Sequence, residues 1–220
     1  MQITWHGQSF FEIEIKDSIN NSKEKIIICI DPFDESLGLK VPKVEAQICL
    51  ITHSHSDHSN VKAIKGEPFL VEEPGEYEVK GVFIKGIPSF HDASGGKERG
   101  SNIIYKIEAE NIKLCHLGDL GQKELNEEQL EEIGEVDILM IPVGGVYTID
   151  AKEAAAIISQ IEPRLVIPMH YKVPKLKLDI DGIEKFLKVM GAEKKEPQKK
   201  LKITPKDLPK EESEIVLLTP

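Results

Sequence analysis

Thr52-His53-Ser54-His55-Ser56-Asp57-His58 sets three imidazoles and a carboxylate side by side, directly after the apolar run Ile48-Cys49-Leu50-Ile51. The apolar run reads as a buried strand and the polar residues after it as a tight loop whose small serines leave room for the larger side chains. Neutral imidazole together with carboxylate is the ligand set suited to zinc and its neighbours among the divalent metals. A single histidine is ordinarily a core or surface group. Four such groups this close would repel or desolvate one another unless a cation lay among them, so the segment is read as metal-binding.

Outward from this loop, the first half of the chain reads as strands. They are expected at 2–4, 10–15, 26–30, 48–52, 79–84, 102–107 and 112–117, with Gly, Pro and Asn between them and a hairpin signal at Glu110-Asn111. In the second half, helical patterns alternate with short apolar runs. Helices are expected at 126–133, 150–161 and 180–190, a buried strand at 165–168 and a last strand at 215–218. Asp150 with Glu153 three residues on has the form of a capping box. The segment 192–213, rich in Lys, Glu and Pro, reads as loose except near Leu201 to Ile203. No repeat or linker divides the 220 residues, so 1–220 is read as a single domain.

Composition narrows the function. A formal net charge of −10 with both signs interspersed works against binding nucleic acid or anionic membranes. No apolar run approaches the ~20 residues that span a bilayer, and Met1-Gln2-Ile3-Thr4-Trp5 lacks the features of a signal peptide, so a cytoplasmic protein without membrane insertion is expected. Cys29, Cys49 and Cys115 lie in strand patterns and read as core filler.

The arrangement His-x-His-x-Asp-His after a buried strand resembles the signature of the metallo-β-lactamase superfamily. Ile30-Asp31-Pro32-Phe33, Leu117-Gly118-Asp119, Pro142-Val143-Gly144-Gly145 and Pro168-Met169-His170-Tyr171 follow in the order of its L-ascorbate-6-phosphate-lactonase-like branch. The resemblance implies an α/β fold, an αββα sandwich of two mixed sheets flanked by helices, with metals at one edge. It implies two divalent metal ions, zinc first, with manganese or iron(II) as substitutes. His53, His55 and His91 would hold the first, Asp57, His58 and His170 the second, and Asp119 would bridge them. For the third histidine of the first metal, His116 is the rival to His91. A histidine so close to the bridging carboxylate is more often a supporting or core group.

The implied activity is hydrolysis of an ester, lactone or phosphoester in a small, anionic or carbonyl substrate. A bridging hydroxide would attack, and Asp57 and Asp119 would be the central carboxylates. Asp31 reads equally well as support for the metal loop or as a strand-end turn residue. Asp92, Lys97 and Arg99, in the glycine-rich loop after His91, are candidates for substrate contact, and Asp92 and His116 for protonating the leaving group. Pro74-Gly75-Glu76-Tyr77 reads as a turn able to form another wall of the site. Gln8, in Trp5-His6-Gly7-Gln8-Ser9, stands where relatives often carry histidine. Two other readings are an iron-dependent redox enzyme on the same fold and a metal-binding domain without catalysis. The oligomeric partner is open.

Overall fold

In the computed structural model, residues 1–17 and 24–220 are described. Two mixed sheets stack face to face. One has six strands in the spatial order Leu201–Lys202, Gln2–Trp5, Phe11–Lys16, Lys25–Ile30, Ile48–Leu50 and Phe69–Val71. The other has seven, in the order Glu214–Ile215, Leu165–Met169, Ile138–Pro142, Ile112–His116, Ser101–Ala109, Val82–Phe90 and Gly75–Val79. Each sheet joins an antiparallel part to a parallel part. One continuous apolar core, containing Ile13, Ile28, Leu50, Ile104, Met140 and Ile167, fills the space between them.

The apolar pattern along each strand records how many of its faces are covered. Ile138–Pro142 and Leu165–Met169 are buried at every position, as parallel strands enclosed on both sides must be. Phe11–Lys16 instead alternates, burying Phe11, Ile13 and Ile15 while Glu12 and Glu14 stay half-buried, so one face of the six-stranded sheet meets a more polar environment. The α-helices are Glu127–Ile133, Ala151–Ile161 and Ile183–Val189; the second touches both others and the first touches Val82–Phe90. Among the described residues, the first half of the chain, source of most of the six-stranded sheet, adds only the 3-10 turns Glu35–Leu37 and Val61–Ala63. Helical cover is thus lighter than a full αββα sandwich, within the same fold. No helix among the described residues is long and apolar enough to cross a membrane.

Local chemistry explains most boundaries. Asp150 caps the second helix by accepting from the amides of Lys152 and Glu153, while Glu153 reaches back to the Asp150 amide. Glu110 and Asn111 both have positive φ, the geometry that turns one strand tightly into the next. Four expectations need correction. The strand expected at 79–84 straddles a hairpin, because Lys80 and Gly81 both have positive φ and separate Gly75–Val79 from Val82–Phe90. The same pairing makes Gly75 to Tyr77 an edge strand, not a turn beside the site. The third helix begins only at Ile183, because Gly182 is its N-terminal cap and the Asp181 amide is tied to the Gly144 carbonyl. Between 192 and 213, Leu201–Lys202 pairs with Gln2–Trp5 as expected of that stretch, but Gln198 also bridges Leu218 and Pro205–Asp207 forms a 3-10 turn, so more of the segment is ordered than its polar composition suggests.

This topology determines where side chains gather. Lys25–Ile30 and Ile48–Leu50 run parallel, as do Ile112–His116, Ile138–Pro142 and Leu165–Met169. Val82–Phe90 joins the latter direction through two successive antiparallel pairings. Asp31, the 53–58 loop, His91, Asp119 and His170 each follow the C-terminal end of one of these strands. Open α/β sheets characteristically place their sites outside such ends.

Candidate metal centre

Two groups of side chains meet there. His53, His55 and His91 present ligand atoms that all lie within 4.8 Å of one another, and so do Asp57, His58, Asp119 and His170. Asp119 Oδ2 is the common point: His58 Nε2 and His170 Nε2 are each 3.1 Å from it and His91 Nε2 is 3.4 Å away. Asp57 Oδ2 lies 3.4 Å from His58 Nε2. A cavity of about 480 Å³ opens onto His55, Asp57, His91, Asp119 and His170.

Asp31 sets the state of one histidine in each group. Its Oδ2 accepts from His58 Nδ1 at 2.9 Å and from the Thr52 hydroxyl at 2.7 Å, while its Oδ1 accepts from the Thr52 amide at 2.8 Å. A carboxylate can only accept here, so His58 Nδ1 carries a hydrogen, and in the neutral ring the Nε2 lone pair faces Asp119. The Thr52 hydroxyl has spent its proton on Asp31, so at 3.0 Å it accepts from His53 Nδ1. That leaves His53 Nε2 as a lone pair too. Both Nε2 atoms are buried with no hydrogen-bond partner.

A lone pair of His58 and a carboxylate oxygen 3.1 Å apart repel unless a proton or a cation lies between them. The electrostatics follow from this. Burial opposes a charge on His58, yet Asp119 and Asp31 together hold its pKa well above the ordinary range. Burial likewise penalises the Asp119 carboxylate, but His170 and His58 keep it well below the usual range. His53 is pushed down to about 2, mainly by burial and then by His58, and burial also lowers His91. Lowered pKa values keep His53 and His91 neutral beside ionised carboxylates, and the raised pKa of His58 marks a place where a cation can replace a proton, so the residues present fit a pair of divalent cations.

Supporting groups come from distant parts of the chain. Gln8 Nε2 donates to Asp57 Oδ2 at 3.0 Å, and Ser9 Oγ donates to Asp119 Oδ1 at 3.1 Å. The Gln8 carbonyl accepts the His170 amide. Asn102 accepts the Asp119 amide and donates to the Leu117 carbonyl, which fixes the Leu117-Gly118-Asp119 turn. Gly118, at φ 57°, has no room for a Cβ, which would come 2.3 Å from Asn102 Oδ1. Positive φ, uncommon outside glycine, also occurs at Asp31 and His170, each just past a strand, and at Gln8 in the turn between Gln2–Trp5 and Phe11–Lys16.

The structure sorts the expected residues. His53, His55, His91, Asp57, His58, Asp119 and His170 come together. His116 does not join them: it is fully buried, its Nδ1 accepts the Gly118 amide and its Nε2 donates to the Ser9 carbonyl. With both nitrogens engaged it supports Ser9 and cannot serve as a leaving-group acid. Asp92 is also removed from that role, because its oxygens take the amides of Ser94, Gly96, Glu98 and Arg99 and the Ser94 hydroxyl. Burial opposes its ionisation, but these donors, led by the Arg99 amide, hold it below the usual carboxylate range. Arg99 lines the cavity, whereas Lys97 is exposed and lies outside its lining. Gln8, Ser9 and Asn102 support the centre although nothing in their local sequence marks them for that role. All three cysteines are free and buried, in keeping with core filler.

Two substitutions test this construction. Asp31→Asn is expected to lower metal affinity at both sites by about 10–100-fold, the usual cost of losing a ligand's supporting carboxylate. Loss confined to the site that contains His58 would show that Thr52 does not relay the effect to His53. Gly144→Ala is expected to destabilise the protein by about 1–3 kcal/mol, because a Cβ there would sit 2.1 Å from the His170 carbonyl oxygen and the backbone would have to shift. Denaturant unfolding gives that value, and an unchanged midpoint would show that the contact relaxes freely.

Comparison with known proteins agrees with the geometry. The Beta-lactamase superfamily domain matches residues 2–170. A UPF0173 metal-dependent hydrolase of Thermococcus onnurineus is 33% identical over 192 residues, covering 74% of this chain and 84% of the relative. One from Methanopyrus kandleri is 29% identical over 223 residues, covering 87% and 93%. A Thermotoga maritima crystal structure, named as a candidate Zn-dependent hydrolase of the metallo-β-lactamase superfamily, superposes with a TM-score of 0.76 at 37% identity, covering 98% of this chain and 97% of that one. With its fold, the match over residues 2–170 and these relatives taken together, the chain belongs to the UPF0173 family of metal-dependent hydrolases in the metallo-β-lactamase superfamily.

Proposed function

We propose that residues 1–220 act as one dinuclear hydrolase domain, with zinc the preferred metal, cleaving an ester, lactone or phosphoester bond of a small substrate. One metal would be held by His53, His55 and His91 and the other by Asp57, His58 and His170, with Asp119 between them. The observation that carries this reading is the convergence of three imidazole Nε2 atoms on Asp119 Oδ2, with buried, unpartnered Nε2 lone pairs on His53 and His58. The motif order of the lactonase-like branch favours a lactone or related ester among the bonds named, and nucleic acid is not an expected partner.

When bound, such a metal pair supplies Lewis acidity toward the bond under attack and lowers the pKa of water to near neutrality. The chain's own residues do the rest. Asp31 keeps His53 and His58 in the tautomers that offer Nε2 to the site. Gln8 and Ser9 hold Asp57 and Asp119 in orientation, so the carboxylates need not reorganise during reaction. The cavity is in the size range of small-molecule sites, and Tyr147 and Leu178 give it an apolar side. Two dications would bring four positive charges against the carboxylates of Asp57 and Asp119, which suits an anionic substrate within an acidic protein.

A screen of generic lactones, aryl esters and phosphodiesters with zinc-loaded protein tests the proposal. Hydrolysis of at least one class, abolished by chelation and restored by zinc, is expected. Fully loaded protein inert toward all three would contradict it.

A further inference from the structure

We propose that Arg99 is the specificity-determining residue of this site and that the substrate carries an oxyanion group, a carboxylate or phosphate, separate from the bond that is cleaved. The inference rests on the hydrolase reading above and adds the substrate class.

Arg99 lines the same cavity as His91, Asp119 and His170, yet the protein makes little use of its charge. A guanidinium offers five N–H donors. Among the described residues its side chain makes one hydrogen bond, from Nη2 to the Val146 carbonyl at 3.5 Å, the outer limit for such a contact, and no ion pair holds it. Glu98, the neighbouring carboxylate on the cavity wall, places Oε1 3.0 Å from the Ser94 hydroxyl of its own loop, and among the described residues no ion pair joins it to Arg99. A cation facing a cavity with most of its donors free is a site prepared for an anion from outside.

Its position is built in from two sides. From below, Asp92 gathers four amides of the following loop, including that of Arg99 itself, and the Gly100 carbonyl accepts the His91 amide. The loop that carries Arg99 is therefore rigidly referenced to His91. From the side, the guanidinium carbon lies 5.1 Å from the centre of the Tyr147 ring, a cation–π contact that holds the fork beside it. Tyr147 is itself delivered by a strained turn: Val146, a β-branched residue, takes φ 62° and the Tyr147 amide closes onto the Gly145 carbonyl at 2.7 Å. Positive φ at such a residue is costly and tends to mark functional sites. Tyr147 and Leu178 then offer apolar surface beside the fork for the organic part of a small acid or phosphate ester.

The test uses zinc-loaded protein and two aryl esters alike except that one bears a carboxylate on its acyl chain. Arg99→Gln is expected to lower the ratio of kcat/KM for the anionic ester to that for the neutral ester by at least about tenfold, mainly through KM. Arg99→Lys, which keeps the charge but loses the flat fork, falls between. Tyr147→Ala, which leaves Arg99 present but unsupported, shifts the ratio in the same direction by less. Calorimetric titration with inorganic phosphate supplies a readout independent of turnover, with binding expected to weaken about tenfold or more in Arg99→Gln. An unchanged substrate ratio in Arg99→Gln would overturn the inference while leaving the hydrolase reading intact. If the parent protein cleaves neither ester, that reading fails in its tested form and the titration decides alone: phosphate binding that is absent, or equal in parent and Arg99→Gln, overturns the anion site.

Discussion

Asp119→Ala is expected to reduce hydrolysis by about 1,000-fold, the rate equivalent of about 4 kcal/mol of transition-state stabilisation. Asp119 Oδ2 lies within 3.4 Å of imidazoles from both groups, so its removal separates the two halves of the centre. The fold should survive. The Leu117-Gly118-Asp119 turn stays pinned by Asn102 through backbone groups that the substitution leaves in place. Circular dichroism and melting temperature separate loss of activity from loss of structure. Full activity in a folded Asp119→Ala protein would remove Asp119 from the centre.

The second large effect separates two histidines that the sequence leaves in competition. His91→Ala is expected to lower occupancy at one site, leaving about one tightly held metal per chain, since a catalytic zinc ordinarily keeps three protein ligands. His116→Ala should retain about two, because both His116 nitrogens are spent on the Gly118 amide and the Ser9 carbonyl. Its cost should appear as stability: two buried backbone groups lose their partner, at about 1–3 kcal/mol each. Metal content and thermal unfolding of both variants decide the matter. Normal occupancy in His91→Ala with loss in His116→Ala would reverse the assignment.

How much of this was legible from the chain follows the distance over which each residue acts. The 53–58 loop was readable because its groups are neighbours in sequence and leave little else for such a composition to do. Buried parallel strands were readable as unbroken apolar runs, and Asp150 as a cap because its partners are the next residues along. Lys80-Gly81 was a readable turn that the apolar residues on either side obscured. Asp31 stayed ambiguous because its role depends on Thr52 and His58, 21 and 27 residues away. Gln8 and Ser9 act on Asp57 and Asp119 across 49 and 110 residues, and Asn102 on the Asp119 amide across 17. Nothing local in the sequence announces such contacts; they exist only once the strand ends meet. Asp92 misled for a related reason: a carboxylate next to a ligand looks chemically available until the loop folds around it.

The central claim is that this chain binds a pair of metal ions through histidine and aspartate side chains. Elemental analysis of protein purified without chelators, repeated after loading with zinc, manganese or iron(II) and removal of excess, tests it most directly. The account predicts about two ions per chain, with zinc held most tightly of the three. Protein that arrives without metal and retains none of the three after loading would contradict it.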